Sequence, residues 1–275
     1  MADISAQGAA AELRIMTYNV HRCRGLDRRW SPERIAEVIA EARPDVVALQ
    51  ELDVGRARSG SIDQAEMIAR ALGMDVQFFP VVRIMEELYG DAILSRLPSR
   101  LIKGGSLPTL RGVPGLEPRG ALWSSIRTGV VEVQTINTHL GLLARERAKQ
   151  IDVLLGPEWL GHPDCRGPVI LAGDFNATPR SRGYRRLTAR LTDTQRAPGA
   201  SRARPTFPTR YPALRIDHVF VDRAIEVLSA ETIRTPLALI ASDHLPVVAQ
   251  VRVRAEKATQ PADRRHHAAA AIRPV

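Results

Sequence analysis

Only two of the 275 residues are cysteines, Cys23 and Cys165. They have neither the number for a disulfide framework nor the spacing of a thiolate metal site. Aromatic side chains are scarce as well, at 4%, which leaves little material for stacking the successive bases of a single strand. No apolar run approaches the ~18 residues of a membrane span. The opening stretch, MADISAQGAAAELR, lacks the basic n-region and long apolar h-region of a secretory signal. These absences point to a cytoplasmic chain without integral membrane association, read as a monomer.

What is present is an ordinary hydrophobic fraction of 44%, enough for a sizeable core, and a net charge of +9. The charge is not a tail effect. Residues 1–12 carry −2 and residues 256–275 carry +2, so residues 13–255 hold +9 by themselves. A basic fold favours polyanionic partners such as nucleic acid, a phospholipid surface or a phosphorylated metabolite.

The pattern along the chain is mixed. ELRIMTYNV alternates like a strand, and DVVALQE is a short apolar strand of the kind buried on both faces. Between them SPERIAEVIAEARP predicts a helix, with Ser31 as cap, Pro32 in the first turn and Pro44 as stop. SIDQAEMIARALG predicts another, with Ser61 and Gln64 as a capping box and Gly73 as its end. DVQFFPVV, DAILSR, GALWSSI and VVEVQTINTHL read as strands, the last two joined by a hairpin at Thr128-Gly129. A basic amphipathic helix over 143–155 follows, then the buried strand GPVILAG and the short helix YRRLTARL. IDHVFV, AIEVLSAETI and LPVVAQVRV close the series as strands. Strands beside helices in some places and hairpins in others exclude a purely parallel sheet. One domain is expected over 12–254, with a flexible N-terminus over 1–11 and a disordered basic tail over 255–275 that contains His266 and His267.

Apolar strands here repeatedly end in acids, amides and histidines. Asn19 follows RIMTY, Glu51 follows DVVALQ, and His139 sits in QTINTHL. Asp174 and Asn176 follow VILAG, Asp217 and His218 open IDHVFV, and Asp243 and His244 precede LPVVAQV. Side chains two apart on an extended chain point the same way, so Asp174 and Asn176 can serve one site, whereas His218 alternates to the other face from Asp217 and reads as structural. The set contains carboxylates, amides and two candidate histidines, with no serine or cysteine in a nucleophile elbow. It suits hydrolysis by a metal-activated water rather than through a covalent intermediate.

The ordered series MTYNVH, LQELD, YGDAILSRLP, NTHLG, AGDFNATP, IDHVFV and SDHLPV resembles the endonuclease/exonuclease/phosphatase superfamily, with its deoxyribonuclease I-like fold, over residues 14–249. The resemblance implies an α/β protein: a four-layer α/β/β/α sandwich of two mixed β-sheets, with helices outside and the site at one edge. It also implies roles. Glu51, Asn19 and Asp243 match the metal site, where a hard ion such as Mg²⁺ takes carboxylate, carbonyl and water oxygens; Mn²⁺ can substitute. His244 matches the catalytic histidine, with Asp217 placed to orient it. Either His244 deprotonates water, or it stays protonated on the phosphate while Asp174 orients the water. Asn176 suits a phosphoryl oxygen gaining charge. His139 matches a residue that, in nuclease and sphingomyelinase branches, protonates the leaving group or contacts phosphate. Arg119 reads as a surface residue or a phosphate contact. Asp91 departs from the family, where Asn is frequent, and an extra acid near phosphate costs binding unless it is buried, paired or turned away.

The expected function is therefore divalent-metal-dependent hydrolysis of a phosphate ester by direct attack of water, as a phosphodiesterase or nuclease. A diesterase or phosphatase on phospholipid or inositol phosphate head groups is the alternative, and a non-catalytic binding protein on the same fold is disfavoured because every expected position is filled. A nucleic acid is the expected partner.

Overall fold

The computed structural model describes residues 10–110 and 112–254. The expectations for the first nine residues and for the tail from 255 onward lie outside them. In chain order the elements are β1 (Ala10–Asn19), α1 (Pro32–Ala42), β2 (Val46–Val54), α2 (Gln64–Leu72), β3 (Asp75–Ile84), β4 (Glu87–Ser95), β5 (Ser99–Leu107), β6 (Arg119–Arg127), β7 (Glu132–His139), α3 (Ala144–Leu155), β8 (Val169–Asp174), α4 (Arg182–Thr188), β9 (Thr192–Asp193), β10 (Asp217–Val221), β11 (Ile225–Thr232), α5 (Ala238–Ala241) and β12 (Val247–Arg254).

Two six-stranded sheets result, with orders β11-β12-β1-β2-β4-β3 and β5-β6-β7-β8-β10-β9. Each has one parallel pair, β1 with β2 and β7 with β8, among antiparallel neighbours. Both parallel pairs are joined by a helix, α1 and α3, because parallel strands need a long crossover. Alternation along the strands sorts residues into three cores. Ile15, Val46 and Ala48 of the first sheet face Ile170, Ala172 and Val219 of the second between the sheets. Met16, Tyr18 and Val47 point outward under Ile35 and Ile39 of α1 and Ile68 of α2. Ile136, Leu171 and Phe220 point outward under Ile151 and Leu154 of α3 and Leu187 of α4. The layers are therefore helices, sheet, sheet, helices.

Local chemistry explains the element ends. Ser31 accepts from the Arg34 N–H, Pro32 opens α1, and Arg43 closes it in the left-handed region just before Pro44. At α2 the cap differs from expectation. Asp63 accepts the Glu66 N–H, and Gln64 is the first helical residue. Ser61 stands outside in a left-handed turn (φ 55°) and cannot cap. Gly73 (φ 62°) ends α2 as expected. Beneath the site, a polar clamp crosses the two sheets. Asn137 Nδ2 donates to the carbonyls of Leu49 and Ala92, and its oxygen accepts from Gln50 Nε2 at 2.8 Å. Fully satisfied buried amides of this kind hold two layers in one relative position.

Candidate active site

The C-terminal ends of the parallel strands of both sheets meet at one edge of the sandwich. There a cleft of about 350 Å³ is lined by Glu51, His139, Asp174, Asn176, Asp243 and His244, together with His21, Arg22, Tyr89, Glu117, Arg119, Leu142 and Phe207. Crevices outside the carboxyl ends of parallel strands are the usual ligand sites of α/β sheets.

Each functional side chain is placed by a local break in regular structure. The pairing of β2 with β4 slips between Leu49 and Leu52. In that bulge Glu51 takes φ 63°, a left-handed conformation that costs a non-glycine residue of order 1 kcal/mol. The bulge re-aims Glu51 into the cleft while Gln50 stays fully buried. At β8, Gly173 has φ 150°, and a Cβ there would lie 1.9 Å from the Thr138 carbonyl oxygen. Only glycine lets β8 lie this close to β7, so that Asp174 emerges beside His139. The expected reason for Asp174 and Asn176 sharing a site does not hold, because the chain is not extended there. Asn176 is left-handed (φ 47°), and its N–H donates to Asp174 Oδ1 at 2.9 Å, a turn closed by the acid's own side chain. Both side chains still reach the cleft.

Asn19 and Asp217 lie behind the lining, fully buried. Asn19 Nδ2 donates to Glu51 Oε1 at 3.0 Å and to Asp174 Oδ2 at 3.1 Å, and its oxygen takes the His21 N–H at 3.0 Å. Asp217 straddles His244 Nδ1, with oxygens at 3.0 and 3.1 Å. His244 Nε2 then points toward Asp174 Oδ2 at 3.8 Å. Burial opposes charge on this ring, but Asp217, Asp174 and Asp243 outweigh it and raise its pKa to about 10. Burial, with Asp217 close by, pushes the Asp174 carboxyl up.

The second histidine has the opposite surroundings. His139 Nδ1 lies 2.9 Å from Arg119 Nη1, and its Nε2 lies 3.2 Å from Asn176 Nδ2 and 3.4 Å from Asp174 Oδ2. Burial, then the Arg119 charge and His244, hold it well below the ordinary histidine range. Arg119 is thus no surface residue; it is 6% exposed and also bridges Glu117 at 2.9 Å. Asp91 is buried, and the Glu51 N–H points at its Oδ1 at 3.4 Å. Burial pushes the Asp91 carboxyl up to about 8 against the pull of Arg119. Asp91 thus meets one of the conditions, burial, under which an extra acid does not cost phosphate binding.

His218 is structural, as its alternation implied. Its Nε2 donates to the Ala177 carbonyl at 2.8 Å, directly after Asn176. Sequence reasoning missed His21 and Arg22 as residues of the cleft lining. Together with Cys23 they form three consecutive left-handed residues (φ 45°, 58° and 56°), for which no glycine or asparagine gives a signal. Glu117, Leu142 and Phe207 were missed too, because loop residues reach a cleft through tertiary contacts.

The model of the endonuclease/exonuclease/phosphatase family matches residues 16–244. The chain belongs to this family. It is similar to the uncharacterized protein YbhP of Escherichia coli (strain K12), 26% identical over 253 residues that cover 87% of this chain and 96% of that protein. Among solved structures it resembles the endonuclease/exonuclease/phosphatase from Beutenbergia cavernae, with a TM-score of 0.71, 26% identity, and coverage of 88% of this chain and 72% of the other. It also shares its fold with the mannosyl-6-phosphatase Bt3783 of Bacteroides thetaiotaomicron, with a TM-score of 0.68, 21% identity, and coverage of 87% and 99%.

Endonuclease/exonuclease/phosphatase proteins are generally hydrolytic enzymes that use a divalent metal, and their fold is a phosphoesterase fold. Two groups of side chains bear on a cation. Ligand atoms of Asp174, Asp217 and His244 lie within 4.8 Å of one another. An ion among them competes with the proton that Asp217 holds on His244. Glu51 is the better fit. Asn19 Nδ2 is the only side-chain donor that reaches it among the described residues. Among the described residues no arginine, lysine or histidine lies within ion-pair distance of it, although Arg22 and Arg119 line the same cleft. An unneutralised carboxylate in an oxygen-rich cleft suits a hard cation. No helix among the described residues is long and apolar enough to cross a membrane.

Proposed function

We propose that the protein hydrolyses phosphodiesters by direct attack of water, with Mg²⁺ or Mn²⁺ held by Glu51 and Asp243, and with Asn19, whose Nδ2 donates to Glu51 and Asp174, orienting these carboxylates rather than ligating the ion. Such an ion supplies charge neutralisation on the phosphate and on the departing oxygen. Asp174 is the base that orients and deprotonates water. His244, kept protonated by Asp217, offers its Nε2–H to a phosphoryl oxygen. Asn176 Nδ2 and His139 lie on the other side of Asp174 as further donors. The observation that carries this reading is the position of Asp174. Its Oδ2 lies between the two histidines, 3.8 Å from His244 Nε2 and 3.4 Å from His139 Nε2, while Asn19 and the Asn176 N–H orient the carboxylate. A carboxylate so held, with hydrogen-bond donors around it, matches attack on a phosphate whose negative charge grows in the transition state.

The proposed substrate is nucleic acid, cut with little sequence preference, and the support is the +9 carried by residues 13–255. A phosphorylated lipid or inositol head group is the second reading. It is favoured by the apolar wall of the cleft, Phe207 and the 69%-exposed Leu142. Side-by-side hydrolysis of plasmid DNA, RNA, phospholipid vesicles and inositol phosphates with Mg²⁺, and with EDTA as control, separates the two. A nuclease loses affinity steeply from low to moderate salt, because each contacted phosphate releases counterions. Vesicle or head-group turnover without DNA cleavage reverses the ranking.

A further inference from the structure

Arg119 opens β6, which pairs with β7 so that Gly120 lies opposite His139. Its Nη1 lies 2.9 Å from His139 Nδ1. A guanidinium has only donors and stays charged, so Nδ1 must be the acceptor. The ring proton then belongs on Nε2. On that side stands Asn176 Nδ2, 3.2 Å away. The orientation of this amide is set by its donation to the Leu140 carbonyl at 2.9 Å. Two N–H groups therefore converge with no acceptor between them. The closest acceptor to Nε2, Asp174 Oδ2 at 3.4 Å, is too distant for a strong bond.

The molecule contains the same arrangement in completed form. Behind the site, Arg215 Nη1 lies 3.3 Å from His218 Nδ1, and His218 Nε2 donates to the Ala177 carbonyl at 2.8 Å. There the chain itself supplies the acceptor. At His139 the corresponding position opens on the cleft.

We infer that Arg119 is a positioning residue that locks His139 as an Nε2–H donor to a phosphoryl oxygen, so that His139 keeps its proton through the reaction and is not the acid that protonates the leaving group. The inference deepens the phosphoesterase reading and rests on it. A general acid must pass through the imidazolium, with protons on both nitrogens. Arg119 Nη1 already directs its own hydrogen at Nδ1, so a second proton there meets a donor instead of a partner. The departing oxygen takes its proton from solvent water. His139 Nε2–H and Asn176 Nδ2–H together donate to the non-bridging oxygen on which charge builds.

The test uses ¹⁵N-labelled protein and a homologous series of phosphodiesters whose leaving groups run from nitrophenols to alkyl alcohols. At pH 7.5 the His139 ring should show a protonated Nε2 and a bare Nδ1. In Arg119→Met the ring should lose that single tautomer, and Arg119→Lys should largely restore it. Turnover by Arg119→Met should fall about tenfold, by the same factor for every leaving group, with partial rescue in Arg119→Lys. A wild-type His139 protonated on Nδ1 overturns the inference, and so does a loss that grows steadily as the leaving group worsens. Should Arg119→Met fail to fold, the wild-type spectrum and the His139→Ala leaving-group series still decide. Absence of phosphodiester turnover in every form, wild type included, defeats the phosphoesterase reading instead, and leaves the tautomer to the spectrum.

Discussion

His244 and His139 face the same cleft from the two flanks of Asp174, yet their surroundings are opposite. His244 rests on Asp217, with Asp174 and Asp243 close by, and these acids raise its pKa to about 10 despite burial. His139 rests on Arg119, and burial and that charge drive it far down. One residue type thus gives a cation on one side and a neutral donor on the other. Environments that push two titrating groups apart are how one site obtains two different tools. His218 extends the comparison. It too has an arginine at Nδ1 and is held down, to about 4, by burial and then by Arg215, but its outer nitrogen is spent on the chain. A histidine fed by an arginine becomes a fixed donor, and whether it meets substrate or backbone depends on what stands beyond it.

The comparison can be broken by removing its members. His244→Ala should lower turnover of every phosphate ester by about 10³-fold, since a cationic donor at the reacting phosphate is lost. A loss below tenfold in steady-state kinetics would place the chemistry elsewhere. His139→Ala should cost less, about 10²-fold, and equally for good and poor leaving groups, because one neutral donor disappears. A cost confined to poor leaving groups would make His139 an acid and erase the contrast. The smallest effect concerns stability and belongs to His218. Its folded pKa lies below the unfolded value of 6.5. The unfolded chain therefore takes up the proton first as pH falls, and the stabilisation by neutral His218 is full above about 6.5 and lost toward about 4. Its size is on the order of 3 kcal/mol for a shift of this extent. In His218→Gln, urea melts should show a deficit at pH 7.5 that shrinks toward pH 4. A deficit independent of pH would mean that His218 has the same pKa in the folded and the unfolded chain, and would contradict the lowered value.

Much of this was legible in the sequence where one residue reports its own local physics. Apolar runs marked β1, β2, β8 and β12, and Ser31 with Pro32 marked the start of α1. The strand β5 escaped notice, because SRLIKGGSL carries a Gly-Gly pair and lies at a sheet edge with most residues only half-buried. The cap of α2 was misplaced by two residues, since Ser61 and Asp63 are both good caps and only the backbone conformation decides between them. Of the nine polar residues marked at strand ends, the eight other than the structural His218 all stand in or directly behind the cleft. What could not be read was their environment. Arg119 looks like any arginine until β6 pairs with β7, and Asp91 looks like an exposed extra acid until the fold buries it. The bulge at Glu51 depends on how β2 meets β4, which is a matter of register between distant segments.

The central claim is that Glu51 brings a divalent cation to a phosphate ester at this cleft. The most direct test is Mg²⁺-dependent hydrolysis of bis-p-nitrophenyl phosphate by wild type and Glu51→Gln, with Mg²⁺ titrated from limiting to saturating. EDTA should abolish turnover in wild type, and turnover should fall by about 10²-fold or more in Glu51→Gln, most steeply at limiting Mg²⁺. Turnover that survives EDTA, or a Glu51→Gln enzyme with wild-type activity at limiting Mg²⁺, would contradict the claim.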